Sequence, residues 1–182
     1  MNAYNLALIP GDGIGVDVTA GAMEVVRSAA TRHGFEINAQ QFDWSCAHYL
    51  ETGAMMPDDG IETLRSFDAI LLGAVGWPET VPDSVSLHGL LLPIRKAFTQ
   101  YANIRPHRLL PGVEGPLKAE AFDILCIREN TEGEYSSVGG RIYEGTDQET
   151  VIQESIFTRR GTDRILQFAF ELANSRPKKH LT

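Results

Sequence analysis

Three arginines and one tyrosine are the side chains in this sequence best suited to hold and protonate a small acid. Arg95, Arg105 and Arg128 lie in three separate segments, LLLPIRKAF, YANIRPHRLL and FDILCIREN. A guanidinium meets a carboxylate through two parallel N–H···O bonds, so arginines from different elements can clamp a planar dicarboxylate. Any one of them can equally be a solvated surface charge. Arg128 has the strongest claim, because it ends an apolar run and is followed at once by ENTEGE. Tyr135 lies in that same loop region. A tyrosine beside clustered cations can act as a proton donor; a packed ring with a wet hydroxyl is the alternative.

The other polar motifs carry less. Gly11-Asp12-Gly13-Ile14-Gly15 follows a short apolar run and precedes a helical pattern. It is G-x-G-x-G, not the dinucleotide fingerprint G-x-G-x-x-G, and no P-loop lysine follows. A tight turn with glycines at positive φ explains it as well as a ligand does. Its place after a strand favours a ligand somewhat, since open α/β sheets bind there. Glu129, Glu132 and Glu134 suggest a metal ion, but Mn2+ and Mg2+ sites draw oxygens from separate elements. The run reads as a solvated face. The five histidines are scattered, and none is assigned a role. Cys46 and Cys126 lack metal-ligand spacing and sit in apolar surroundings, so both are expected to be buried thiols.

Positioning these groups requires an α/β layered architecture. Asn5 to Pro10 reads as a strand, followed by a helix with Val18, Ala22, Val25, Val26 and Ala29 on its apolar face and Gly34 past its end. Phe35 to Trp44 reads as a strand. Asp58 or Asp59 can cap a short helix carrying Ile61, Leu64 and Phe67. Asp68 to Gly73 is fully apolar, as in a strand buried on both faces. A helix beginning near Gly89 or Leu90 would place Pro93 in its first turn. Tyr101 to Leu110 suits an edge strand because of Pro106, Leu110 to Leu117 is turn chemistry, and Phe122 to Arg128 suits a buried strand. Residues 136–160 read as an extended β arm, and Thr162 to Asn174 as a helix with Ile165, Ala169, Leu172 and Ala173 facing the core. The last residues, KKHLT, resemble the opening of a strand. Residues 1–100 are expected to form one α/β domain and 101–182 the start of a second.

The 182 residues carry a formal net charge of −8, which argues against general nucleic-acid binding. No apolar run approaches the roughly 18 residues of a membrane span, and the N-terminus lacks signal-peptide organisation. The cytoplasm is the expected location.

Four strings occur in order: LIPGDGIG, LLGAVGWP, RKAFTQYANIRPHR and RENTEGEYSSVGG. Together they resemble the metal-dependent decarboxylating dehydrogenases of the isocitrate and isopropylmalate type. GWPETVPDSVSLHG and VIQESIFTRRGTDRIL bring the tartrate/D-malate branch nearest. The resemblance implies an isopropylmalate-dehydrogenase-like layered α/β fold, not a classical Rossmann fold, and a homodimer. It implies oxidation and decarboxylation of a malate- or tartrate-like 2-hydroxy dicarboxylic acid with NAD. Arg95, Arg105 and Arg128 match the arginines that bind the substrate carboxylates, and Tyr135 the tyrosine that protonates the enol. Ile14 matches a position near the dinucleotide. Leu91, four residues before Arg95 on the same helical face, matches the neighbourhood of the variable substrate substituent. The family's lysine base and its Mn2+ or Mg2+ aspartates are expected beyond residue 182, so the chain reads as a truncated N-terminal half. Isopropylmalate dehydrogenase and a non-catalytic fragment are the alternatives.

Overall fold

The computed structural model describes residues 2–115, 117 and 121–182; part of the turn expected over 110–117 lies outside them. The chain divides into two compact units, Met1–Ala97 and Phe98–Thr182.

The first unit is built on β1 (Asn2–Gly11), which pairs in parallel with β2 (Phe35–Gln41) and β3 (Ala69–Ala74) in the order β2-β1-β3. Parallel strands need a crossover, and α1 (Ile14–His33) supplies the first. Gly34, at φ 70°, ends α1 in the left-handed conformation and donates to the Ala30 carbonyl. The apolar face of α1 differs from the one its spacing suggested. Gly15, Thr19, Met23 and Ala30 are buried, whereas Val18 is half exposed and Val25 is 69% exposed. Close approach chose this face. A Cβ on Gly15 would overlap the Pro10 carbonyl and lie 2.6 Å from the Ala74 nitrogen. Gly15, without a side chain, lets the helix sit on the strand ends.

β3, an edge of a three-stranded sheet, is half-buried and not sealed on both faces. The sequence reading has no helix at α2 (Cys46–Thr52), although Ser45 caps it by accepting from the His48 N–H at 3.1 Å and Gly53 closes it. α3 (Gly60–Leu64) follows Asp59, whose side chain makes no capping bond. The next helical stretch starts earlier than Pro93 suggested. α4 (Asp83–Ser86) passes through a π-turn (Leu87–Leu91) into α5 (Leu92–Ala97). The Leu92 N–H bonds to the Leu87 carbonyl, one residue further back than in an α-helix. That wider turn accommodates Pro93, which has no N–H to give to an i−4 carbonyl.

The second unit holds an antiparallel pair, β4 (Ala102–Arg108) and β5 (Asp123–Glu129), a second antiparallel pair, β6 (Gly133–Ile142) and β7 (Thr150–Ile156), and helix α6 (Arg159–Ser175). α6 buries or half-buries Ile165, Ala169, Leu172 and Ala173, as their spacing predicts. β5 is not a buried strand. It alternates, with Leu125 and Ile127 half-buried and Ile124 and Cys126 exposed. One face is covered and the other is open. The final residues form a turn, with the Lys179 N–H on the Arg176 carbonyl, and not a strand, because no neighbour among the described residues pairs with them.

Candidate active site

The β4–β5 register puts two of the second unit's arginines on one face. Arg105 lies opposite Cys126, and Asn103 opposite Arg128. Cross-strand partners share a face and alternate residues keep it, so Arg105 and Arg128 are diagonal neighbours, about 7–8 Å apart along the backbone. Arg105 is exposed and makes no ion pair among the described residues. Arg128 is half-buried, and its Nη2 donates to the Tyr135 hydroxyl oxygen at 2.7 Å. The guanidinium carbon stands 5.1 Å from the centre of the same ring. The Tyr135 hydroxyl oxygen is thereby held against a cation. Tyr135 reaches this position because the β6–β7 ladder is irregular between Gly133 and Val138, with Ser137 at φ 58°. A bulge of this kind re-aims the side chains around it.

The loop between Arg128 and Tyr135 is not the solvated acidic face that its composition suggests. Glu129 accepts from the Thr131 and Glu132 amides at 2.8 and 2.7 Å and from the Thr131 hydroxyl at 2.7 Å. Arg164, from α6, pairs with it at 3.1 Å and stacks 4.9 Å from the Tyr101 ring centre. Burial works to raise the Glu129 carboxyl. The Thr131 hydroxyl, the two amides and Arg164 outweigh it and hold the group below its ordinary value. Glu132 accepts from the Thr158 amide and hydroxyl at 2.8 and 2.6 Å, and Thr158 in turn caps α6 through the Gly161 N–H. Only Glu134 is solvated. Sequence reasoning missed Arg164 because the pairing spans 35 residues and leaves no local signal.

In the first unit, Asp12 ties three segments together. Its carboxylate accepts the Cys46 N–H at 3.0 and 3.2 Å and the Gly76 N–H at 3.1 Å, joining the glycine loop to the start of α2 and to the segment after β3. Gly11 and Gly15 are needed for packing, since a Cβ on either would strike the Ala74 backbone. Gly13, at φ 51°, faces open space, and Ile14 beside it is 69% exposed. Leu91 and Arg95 are both half-buried, one turn apart at the π-turn and in α5. Buried Cys46 fits its sequence reading, but Cys126 is exposed on the open β5 face.

The two thiols should therefore react differently. Burial first, and then the Asp12 carboxylate, push the Cys46 thiol up to about 11 from an ordinary 9.0. Ellman's reagent at pH 8 is expected to titrate Cys126 at once and Cys46 only in denaturant. Two fast equivalents would contradict the burial of Cys46 beneath the glycine loop. The raised value favours the folded state fully below pH 9.0, and that contribution fades as pH climbs towards about 11.

Among the described residues no three His, Cys, Asp or Glu side chains come together to hold a metal ion. The described part of the chain therefore does not by itself fit the divalent cation that the resemblance implies. No described helix is long and apolar enough to cross a membrane.

A parallel βαβ unit, joined in sequence to an antiparallel unit with a cationic, tyrosine-bearing face, makes this an α/β chain. Residues 5–182 match the isocitrate/isopropylmalate dehydrogenase family model, and the chain belongs to that family. It is 56% identical to the D-malate dehydrogenase [decarboxylating] of Escherichia coli (strain K12), over 100% of this chain and 52% of that protein. It is 53% identical to the tartrate dehydrogenase/decarboxylase of Pseudomonas putida, over 100% of this chain and 51% of that one. The chain thus spans about half the length of the curated relatives it matches. The isocitrate dehydrogenase of Methylococcus capsulatus superposes with a TM-score of 0.77 at 25% identity, covering 94% of this chain and 48% of its own. A β-decarboxylating dehydrogenase of Thermococcus kodakarensis gives 0.62 at 31%, covering 95% and 46%.

Proposed function

We propose that the whole protein is an NAD-dependent oxidoreductase that oxidises and decarboxylates a malate- or tartrate-like 2-hydroxy dicarboxylic acid. The observation that carries this reading is the shared face of Arg105 and Arg128 with Tyr135 hydrogen-bonded to Arg128. It combines carboxylate binding with a proton donor held at a fixed distance.

Arg105 and Arg128 take the substrate carboxylates, and Arg95 is the third guanidinium assigned to that task. Leu91 meets the variable substituent of the substrate. Tyr135 delivers a proton to the carbon that has lost carbon dioxide, and the Arg128 hydrogen bond fixes where that proton starts. NAD, when bound, accepts hydride from the hydroxyl-bearing carbon. Gly13, with no side chain, and exposed Ile14 offer an open surface suited to the dinucleotide. Mn2+ or Mg2+ remains part of the proposal, with ligands from beyond residue 182. A homodimer is supported by the β6–β7 ribbon, where Val151 is 60% and Ile142 54% exposed. Apolar side chains in that density usually meet a partner.

The test compares D-malate, tartrate and 3-isopropylmalate side by side on the whole protein, with NAD and Mn2+. D-malate and tartrate are expected to be oxidised with release of carbon dioxide. A clear preference for isopropylmalate, which apolar Leu91 would also tolerate, favours that second reading. Oxidation of none of the three overturns both. The 182-residue chain alone is expected to give no NADH, since it has neither an assigned base nor a metal-holding group among its described residues.

A further inference from the structure

We propose that Arg164, acting through Glu129, is a positioning residue that sets the Arg128–Tyr135 pair. This rests on the proposed function. Successive strand residues point to opposite faces, so whatever fixes Glu129 also fixes Arg128. Glu129 lies on the same side of β5 as half-buried Ile127 and Leu125, the side away from Arg105 and Cys126. There Arg164 pins it, and the two side chains are only 23% and 18% exposed. A one-residue slip would carry Glu129 to the open face and Arg128 beneath α6.

The same carboxylate also shapes the return to Tyr135. It holds the amides of Thr131 and Glu132, and Arg164 bonds the Thr131 hydroxyl besides. Glu132 then fastens the next step of the loop to the first turn of α6 through Thr158. Thr158, which caps α6, and Arg164 within it therefore hold both ends of the loop that separates the clamp from the acid. Glu129 and its partner Arg164 meet on the covered side of β5, away from the arginine face. Their effect on chemistry is geometric: a loosened loop lets the Tyr135 hydroxyl drift from Arg128 while Arg105 still binds acid.

Two measurements on the whole protein test this. Arg164→Gln is expected to lower kcat about 10-fold or more, since sub-ångström to ångström displacement of a reacting group costs up to about 100-fold. KM for D-malate should rise by a smaller factor than kcat falls, because Arg128 is displaced with Tyr135 while Arg105 keeps its place. Arg164→Lys should recover part of kcat, and Glu129→Gln/Arg164→Gln should be less impaired than either single change, because no buried charge is stranded. A kcat unchanged per folded molecule, or a loss confined to KM, overturns the inference.

The second measurement needs no turnover. With 3-fluorotyrosine incorporated, the 19F resonance of Tyr135 is identified by its loss in Tyr135→Phe. In Arg164→Gln, or in Arg164→Lys if the glutamine variant does not fold, that resonance should move while those of Tyr4 and Tyr49 stay. A Tyr135 resonance unmoved in both variants overturns the positioning role even if the enzyme is active. A resonance that moves in a protein oxidising no hydroxy acid overturns only the functional reading.

Discussion

Arg128→Gln is expected to lower kcat/KM for D-malate by roughly 10^3-fold, at about 1.4 kcal/mol per factor of ten. On the proposed function, Arg128 carries two duties that glutamine cannot perform. As a carboxylate partner it offers a charged fork, and truncating one member of such a pair costs about 2–5 kcal/mol. As the donor to the Tyr135 hydroxyl at 2.7 Å, it also fixes the acid. Arg128→Lys restores the charge but has one nitrogen with which to serve both partners, so it should remain about 100-fold impaired. Tyr135→Phe separates the duties, because the clamp survives and the proton does not. It should lower kcat and leave KM nearly unchanged. Steady-state kinetics on the whole protein with the three variants decides the matter. Full activity in Arg128→Lys would show that a point charge suffices, and the bidentate clamp would be wrong.

The second large effect concerns folding. Gly73→Ala should destabilise the first unit by about 3 kcal/mol or more, towards the upper end for overpacked cores. A Cβ at Gly73 would overlap the Pro10 carbonyl and lie 2.6 Å from the Thr19 hydroxyl and 2.8 Å from the Gly15 carbonyl. Two of these three atoms are backbone and cannot rotate aside. Thr19 is held as well, since its hydroxyl donates to the Gly15 carbonyl at 2.6 Å. Relief requires lifting α1 from the ends of β1 and β3, which would also move the glycine loop. Thr19→Ala in the same chain should not rescue it, because the carbonyl clashes remain. Gly21→Ala is the control. It lies on α1 with open space around its Cβ and should be neutral or stabilising by up to about 1 kcal/mol. Urea denaturation of the three variants measures both signs, and a Gly73→Ala midpoint equal to wild type would refute the packing of α1 on the strand ends.

Strand and helix identity was largely legible from residues alone. Gly34 stops α1, Pro106 marks the sheet edge, and the spacing of Ile165, Ala169 and Leu172 orients α6. The arginines and Tyr135 were legible as chemical types, and the four ordered strings as a family. What misled was local composition. The run Glu129, Glu132, Glu134 looks solvated, yet two of the three are anchors for α6. Val18 and Val25 look like core, yet Gly15 and Thr19 take the seam. Cys126 looks buried, yet it stands on an open sheet face.

The sequence by itself determined most of the elements, the family and the residue types of the candidate clamp, because periodicity, caps and motif order are properties of neighbouring residues. Only the tertiary structure decided that Arg105 and Arg128 share a face, that Tyr135 bonds to Arg128, and that Arg164 steadies the loop between them. Those facts depend on strand register and on pairings across up to 35 residues. Register is set by which face gets covered, and that is settled by packing between elements rather than by any one segment's own pattern.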